Sequence, residues 1–218
     1  VRTIHNESNL RFLRNCNNAA KQARGQYILF LNNDTQVQAD WLAPLIELIE
    51  RDDSIRMVGS KLVYPDGRLQ EAGGILWQDG SAWNYGNRAN PDEPEFNYVK
   101  EADYISGAAI MIRKSLWEEI GGFDERFVPA YCEDSDLAFE VRKHGCKVMY
   151  QPKSVVVHFE GISNGTDTTS GQKAYQVTNQ KKFLEKWQQE LQENHLPNAV
   201  DPFRARERSV HKKILLMV

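Results

Sequence analysis

The sequence predicts an α/β protein in which a largely parallel sheet is covered by helices. Apolar residues recur at helical spacing over residues 12–23, and a continuous apolar run of strand length follows at 27–31. A second helical pattern over 42–49 leads into another strand-like segment at 55–64. This alternation is typical of βαβ units, whose crossover helices lie on the faces of a parallel sheet.

Each early element has a sequence signal of its own. Gly25 follows the first helical pattern and is the residue type that commonly ends a helix. Tyr27–Leu31 is apolar at every position, as expected for a strand that is buried on both faces. Asp40 precedes the second helical pattern, where its carboxylate can cap the helix. The first part of the chain therefore predicts helix, strand, helix and strand in that order.

The middle of the chain contains turn signals and a polar loop before regular structure returns. Pro65-Asp66-Gly67 predicts a turn, and residues 86–100 are rich in Asn, Pro, Asp and Glu, which favours a surface loop. The later elements are predicted as strand, helix, helix, strand and strand at 104–112, 115–120, 134–144, 148–150 and 155–159. Residues 160–172 offer almost nothing to bury, so we expect a mobile loop there before a final helix that contains Trp187.

Composition and charge exclude several classes of protein. The 218 residues carry a formal net charge of −3, which gives no general attraction to nucleic acid or to an acidic membrane. Three cysteines without CxxC spacing argue against a disulfide framework or a structural zinc site. No apolar run approaches the ~20 residues that span a bilayer. We therefore expect a soluble domain in a reducing compartment such as the cytoplasm, with only peripheral membrane contact, if any.

Asn32-Asn33-Asp34 directly follows the predicted strand at 27–31, and ligands of open α/β sheets bind at the carboxyl ends of strands. One carboxylate beside two amide carbonyls offers the hard oxygen ligands that Mg²⁺ or Mn²⁺ prefers. Such a cation can bridge to the oxygens of a diphosphate. The same residues could instead turn the chain and cap the next helix, and taken alone the segment favours that interpretation.

A second acidic cluster, Glu133-Asp134-Ser135-Asp136, opens the predicted helix that runs to His144. Carboxylates at a helix N-terminus are stabilised by the helix dipole by roughly 0.3–1 kcal/mol, so capping explains one of them. Three within four residues exceed what a cap requires. An ionised carboxylate here could accept the proton of an acceptor hydroxyl as a general base. By itself the cluster favours neither interpretation.

His158 and a run of small residues complete the candidate set. His158 ends the apolar strand at 155–157 and could be a metal ligand, although an ordinary partly buried histidine is the more common case. Ser106-Gly107-Ala108-Ala109 brings small side chains to a strand, which permits close approach of a ligand. Tight core packing would explain these small residues equally well.

The order of four motifs along the chain is more specific than any one of them. Leu31–Asp34 is followed by Ser106–Arg113, then by Gly121–Phe127, and then by Glu133–Leu137. In this order and spacing the motifs resemble the family 2 glycosyltransferases, which have the GT-A fold, and the resemblance covers nearly all of residues 1–190. It implies a Rossmann-like, mixed but mainly parallel sheet flanked by helices.

The resemblance implies roles for the metal and donor residues. Asp34 matches the last Asp of the family's D-x-D motif, so Asn32, Asn33 and Asp34 would bind the donor, and Asp34 would ligate Mg²⁺ or Mn²⁺. Asn32 departs from the pattern because a neutral amide replaces the first Asp, which predicts weaker metal affinity. His158 matches a later histidine that completes the metal shell in some members.

The resemblance also assigns residues to catalysis and to the acceptor. Glu133 and Asp134 match the family's E-D pair, with Asp134 as the catalytic base and Glu133 positioning the acceptor hydroxyl. The acceptor would bind at three further positions, Gly107, Ala108 and Asp136.

The implied activity is the inverting transfer of a sugar from a UDP- or dTDP-linked donor to a hydroxyl acceptor. The implied acceptor is a glycan or a lipid-linked molecule of cell-surface polysaccharide synthesis, without nucleic acid partners. Two other interpretations stay open: a catalytically inactive GT-A-like binding module, which Asn32 favours, and a sugar nucleotidyltransferase. Nucleotidyltransferases usually carry a Gly-rich, basic phosphate loop near the first strand, whereas the Glu133-Asp134 pair and His158 favour sugar transfer.

The ends of the chain differ from the family pattern. The family's first strand forms much of the nucleotide pocket and is expected before Val1, so the first βα unit is missing and we expect weak or absent donor binding by this chain alone. Residues 1–195 are predicted to form the catalytic domain. Residues 196–218 are predicted to be a linker and the start of a following domain, similar to the entry into a family 4-like glycosyltransferase domain. In the family, a loop corresponding to 160–172 can close over the donor.

Overall fold

The computed structural model describes residues 3–159, 174–198 and 201–207. The helices are α1 (Arg11–Ala20), α2 (Leu42–Arg51), α3 (Lys114–Ile120), α4 (Glu133–Lys143), α5 (Ala174–Asn194) and α6 (Pro202–Arg206). The strands are β1 (Tyr27–Leu31), β2 (Thr35–Val37), β3 (Ile55–Val63), β4 (Leu69–Glu71), β5 (Gly74–Leu76), β6 (Ala82–Asn84), β7 (Lys100–Glu101), β8 (Ala109–Arg113) and β9 (Lys147–His158). The predicted loop at 160–172 and the predicted chain ends, 1–2 and 208–218, lie outside these residues.

The central sheet is mixed, as predicted. Its main path runs β1-β8-β3-β9-β2, while β4 pairs with β3 and β7 pairs with β9. The parallel pairing among the described strands is the long one between β3 and β9, whereas β8 runs antiparallel to both β1 and β3. The sheet therefore contains more antiparallel pairing than the βαβ pattern predicts, because β8 lies between β1 and β3. A separate hairpin is formed by β5 and β6.

Alternate residues of the central strands face two cores on opposite sides of the sheet. In β1, Ile28 and Phe30 belong to the larger core cluster, whereas Tyr27 and Leu29 pack against a smaller one. The smaller core is covered by α2 through three buried residues, Leu45, Leu48 and Ile49. Fully burying each such aliphatic side chain contributes roughly 1.5–3 kcal/mol. One face of this strand is buried, whereas the other is only half-buried and Leu31 is 42% exposed. The prediction of burial on both faces is therefore right for Ile28 and Phe30 and wrong for Leu31.

One predicted boundary in the second half is wrong for an identifiable reason. The two short strands expected at 148–150 and 155–159 form one strand, β9. Its register against β3 shifts between Gln151 and Val155, which leaves Pro152 outside the ladder. Because proline cannot donate a ladder hydrogen bond, this irregularity lets the strand continue past it.

The residues near the end of the described chain pack on the same unit. Ala205 belongs to the larger core, and the guanidinium of Arg206 lies over the rings of Tyr85 and Tyr98, 4.5 and 4.8 Å from their centroids. The buried Lys100 ammonium lies 3.1 Å from the Glu207 carboxylate. Residues 201–207 are thus attached to the domain, and the start of a following domain within 196–218 remains a prediction. Among the described residues, no helix has the length and apolar character needed to cross a membrane.

Candidate active site

Asp34 and His158 are brought together by the pairing of β2 with β9. The chain turns after β1, where the Thr35 hydroxyl donates to the carbonyl of Asn32 at 2.6 Å. Thr35 then pairs with His158, and the backbone N–H of Phe159 donates to the Asp34 carbonyl at 2.9 Å. As a result, Nε2 of His158 lies 3.4 Å from Oδ1 of Asp34. Both side chains are largely buried, with 12% and 13% of their surfaces exposed.

These two side chains place two potential metal-ligand atoms close together, Oδ1 of Asp34 and Nε2 of His158. Oδ1 of Asp34 is buried and accepts no hydrogen bond from any described residue, although His158 is close. Nδ1 of His158 lies 2.9 Å from Oε1 of Gln70. If Nδ1 carries the proton and donates it to Gln70, the lone pair of Nε2 is left facing Asp34.

The spacing suits a divalent cation. Two ligands at right angles, each about 2.1 Å from a cation, are separated by about 3 Å, close to the observed contact of Asp34 and His158. Within the described residues, no group of three or more His, Cys, Asp and Glu side chains could hold a metal ion. Asp34 and His158 therefore fit as two of the ligands of a cation, and its other ligands would come from elsewhere.

Asn32 and Asn33 border an open cleft next to this pair. The cleft has a volume of about 970 Å³ and is lined otherwise by residues 4–12, 15, 16 and 31. The backbone N–H of Asn32 donates to the carbonyl of Ala108 at 3.0 Å, which ties the end of β1 to the segment of small residues. Asn32 and Asn33 thus lie along a cleft large enough for a ligand of nucleotide size, whereas Asp34 is not among its lining residues.

Asp134 lies at the start of α4 and accepts two backbone hydrogen bonds. The N–H of Gly107 donates to Oδ2 at 3.0 Å, and the N–H of Ser135 donates to Oδ1 at 2.7 Å. Burial raises the pKa of Asp134 above its ordinary value, and these hydrogen bonds oppose the rise because they favour the carboxylate. A carboxylate with a raised pKa is a stronger base than an ordinary Asp.

The segment of small residues lies between the two carboxylates. Ala108 accepts from Asn32, which begins the turn to Asp34, and the adjacent Gly107 donates to Asp134. The sequence therefore brings Asp34, His158 and Asp134 to the same edge of the sheet. The Ala108 side chain itself is buried in a core cluster, so its predicted contact with an acceptor could involve only its backbone.

The backbone that leads into α4 is held in an uncommon conformation. Tyr131 and Cys132 have φ values of 79° and 69°, in the left-handed region that costs a residue other than glycine of order 1–3 kcal/mol. The buried amide of Asn179, on α5, donates to the carbonyls of Phe127, Ala130 and Tyr131 at 2.7, 2.8 and 3.2 Å. The role of Asn179 could not be predicted from the sequence, because nothing in the helical pattern around Asn179 indicates a partner about 50 residues earlier.

Glu133 is more buried than its predicted role suggests. Only 6% of the residue is exposed, and its Oε2 has no hydrogen-bond partner among the described residues. Burial, and then the neighbouring charge of Asp134, raise the pKa of Glu133 to about 8. Glu133 is therefore largely protonated at neutral pH. Its predicted contact with the acceptor hydroxyl stays a prediction.

Asp136 is separated from the other candidate residues. It is 2% exposed, its carboxylate lies 2.7 Å from the Lys186 ammonium, and it accepts a hydrogen bond from Nε1 of Trp187 at 2.7 Å. Residues two apart on a helix point in nearly opposite directions, so Asp134 and Asp136 cannot face the same ligand. Asp136 thus joins α4 to α5, and this geometry gives no support to its predicted contact with the acceptor.

Comparison with known proteins places the chain in a family. Residues 1–120, more than half of the 218, match the sequence model described as Glycosyl transferase family 2. The O-antigen biosynthesis protein RfbC of Myxococcus xanthus is 32% identical over 157 residues, which make up 68% of this chain and 12% of RfbC.

A second relative and a solved structure extend this likeness. An N-acetylglucosaminyl-diphospho-decaprenol L-rhamnosyltransferase of Mycobacterium tuberculosis is 25% identical over 159 residues, 66% of this chain and 50% of that protein. The chain thus spans half or less of the length of these relatives. The crystal structure of GalNAc-T7 with UDP, GalNAc and Mn²⁺ matches with a TM-score of 0.68 at 17% identity, covering 88% of this chain and 38% of that one. At this identity the match shows a shared fold.

Proposed function

The chain belongs to glycosyl transferase family 2 and has the GT-A fold, and from this premise we propose that it transfers a sugar from a nucleoside-diphosphate donor to a hydroxyl acceptor. We propose further that Asp34 and His158 hold a divalent cation, Mg²⁺ or Mn²⁺. The observation that carries the proposal is the contact between Oδ1 of Asp34 and Nε2 of His158 beside the cleft bordered by Asn32 and Asn33.

Each residue has a task in a single displacement with inversion. Asp34 and His158 would hold the cation, which when bound would neutralise charge on the diphosphate leaving group. Asp134 accepts the hydroxyl proton while the acceptor oxygen forms its bond to the anomeric carbon and the bond from that carbon to the diphosphate oxygen breaks. Gly107 holds the Asp134 carboxylate in place through its backbone N–H.

The substrates are proposed at the level of class. The donor is a UDP- or dTDP-linked sugar, and the acceptor is a glycan or lipid-linked molecule of cell-surface polysaccharide assembly at the inner face of the membrane. The names of two relatives support this class, one an O-antigen biosynthesis protein and the other a rhamnosyltransferase named for a diphospho-decaprenol acceptor.

An inactive binding module is the second candidate, because Asn32 supplies an uncharged amide where the family has an Asp.

A transfer assay distinguishes an active transferase from an inactive binding module. The protein at its full natural length is incubated with UDP- and dTDP-sugars, Mn²⁺ and lipid-linked acceptors, and the products are analysed by mass spectrometry and by NMR of the anomeric configuration. Asp34→Ala should abolish transfer, whereas Asp53→Asn, at a side chain that is 92% exposed, should not change it. Full transfer by Asp34→Ala would contradict the proposed site.

A further inference from the structure

The short strand β4 contains an irregularity that aims a buried side chain at the metal pair. Leu69 pairs with Val63 and Glu71 pairs with Leu62, so the register shifts between these pairs and Gln70 is the extra residue. Such bulges redirect side chains and are over-represented beside active sites. Gln70 is 2% exposed and would have no reason to be polar unless its amide had a partner.

That partner is His158. Oε1 of Gln70 lies 2.9 Å from Nδ1 of the imidazole. A neutral imidazole has one N–H and one lone pair, and an amide oxygen can only accept a hydrogen bond. The contact therefore selects the tautomer in which Nδ1 carries the proton. In that tautomer the lone pair of Nε2 faces Oδ1 of Asp34, 3.4 Å away.

We propose that Gln70 is a positioning residue that fixes the tautomer and ring orientation of His158, so that Nε2 is ready to bind a divalent cation. The inference rests on the proposed metal site and explains what maintains it. Without the amide oxygen, the histidine could place its proton on Nε2 and donate it to Asp34, which would block both ligand atoms. Partners of this kind typically account for 10–100-fold in metal affinity.

Glu71, the residue next to Gln70, contacts the segment that holds Asp134, whereas Gln70 contacts His158. The Glu71 carboxylate, fully buried, accepts a hydrogen bond from the backbone N–H of Ser106 at 3.0 Å. Ser106 precedes Gly107, which holds Asp134. Gln70 thus contacts the metal side, whereas Glu71 supports the segment on the base side. Variants of Gln70 should therefore affect the cation and leave the base in place.

Three variants at full natural length test the proposal. Gln70→Met removes the amide oxygen at similar volume, and Gln70→Glu keeps an oxygen acceptor at the same position. Gln151→Met is the matched control, because Gln151 is also buried (4% exposed) but donates to the carbonyl of Pro44, away from the histidine. The ¹⁵N NMR shifts of His158 report its tautomer in the metal-free protein. Electron paramagnetic resonance measures Mn²⁺ binding in the presence of UDP.

We expect Gln70→Met to shift the protonated tautomer toward Nε2 and to weaken Mn²⁺ binding by about 10–100-fold. Gln70→Glu and Gln151→Met should retain the Nδ1-protonated form and near-normal affinity. Wild-type affinity in Gln70→Met, or an equal loss in Gln70→Glu, would overturn the role of Gln70. If the wild type and His158→Ala bind Mn²⁺ equally, the metal site itself is wrong, and that result differs from failure of the Gln70 inference alone.

Discussion

The metal side and the base side of the site are built in different ways. Asp34 and His158 meet because two strands pair in register, and the side-chain amide of Gln70 then contacts the His158 ring. Asp134 instead follows two left-handed residues, Tyr131 and Cys132, on a segment whose carbonyls are held by one buried amide, that of Asn179. Strand pairing thus sets the backbone of the metal side, whereas the backbone of the base side depends on a side chain of a distant helix.

The difference has a consequence for chemistry and for stability. The backbone positions of two ligands set by strand register should tolerate most changes elsewhere, because moving that backbone requires breaking the sheet. The base side combines backbone strain with buried carboxyl groups, and such regions trade stability for function. Changes on the base side should therefore alter turnover and folding together, while changes on the metal side should alter ligand binding.

The largest effect is expected for Asp134→Asn. Removing a general base typically lowers kcat by about 10²–10⁴-fold, and the amide keeps the shape of the helix start. Steady-state transfer assays measure this loss. Asp136→Asn, on the same helix, is the matched control: because Asp136 contacts Lys186, it should lower the melting temperature without raising the KM for acceptor. An Asp134→Asn variant with full transfer would remove Asp134 from the base role.

A smaller effect is expected for Asn179→Ala, which removes the donor shared by three buried carbonyl groups. Unsatisfied buried groups cost about 1–3 kcal/mol each, so the free energy of unfolding should fall by at least that amount. Because the same segment presents Asp134, kcat should fall while Mn²⁺ and UDP binding stay unchanged. The exposed Asn198, which donates to Asp79 and Ser81, provides the control Asn198→Ala. A loss of stability with unchanged kcat would show that the segment does not depend on Asn179.

The third prediction is a pH dependence of stability caused by Glu133. Its pKa is about 8 in the folded protein and 4.5 ordinarily, so the folded state holds the proton more tightly. The contribution of Glu133 to the free energy of unfolding is fully present below about pH 4.5 and is lost as the pH rises through about 8. The Glu133→Gln side chain is neutral at every pH. The melting temperature of this variant, measured relative to that of the wild type, should therefore increase as the pH rises. A constant difference across this range would contradict the raised pKa.

The candidate residues that could be predicted from the sequence are those that motifs carry, whereas candidates that depend on tertiary contacts could not be predicted. Asp34, Asp134 and His158 could be found because each ends a strand or begins a helix in a recognisable order. Gln70 and Asn179 could not, since their partners lie 88 and about 50 residues away and are reached through a bulge and a helix packing.

In the acidic cluster at 133–136, residues close in sequence were assigned to one site although the structure separates two of them. Asp134 and Asp136 are neighbours in sequence, and the resemblance assigned both to the site. The helix points them to opposite sides, one toward Gly107 and the other toward Lys186. In the same way, the two strands predicted at 148–150 and 155–159 form the single strand β9, which passes Pro152 with a register shift.

The most direct test of the division into two sides is calorimetric titration of UDP with Mn²⁺ into the protein at its full natural length. The wild type, His158→Ala and Asp134→Asn are compared under identical conditions. The division predicts that His158→Ala loses Mn²⁺-dependent UDP binding, whereas Asp134→Asn binds like the wild type despite its loss of transfer. Unchanged binding by His158→Ala, or an equal loss of binding in both variants, would contradict it.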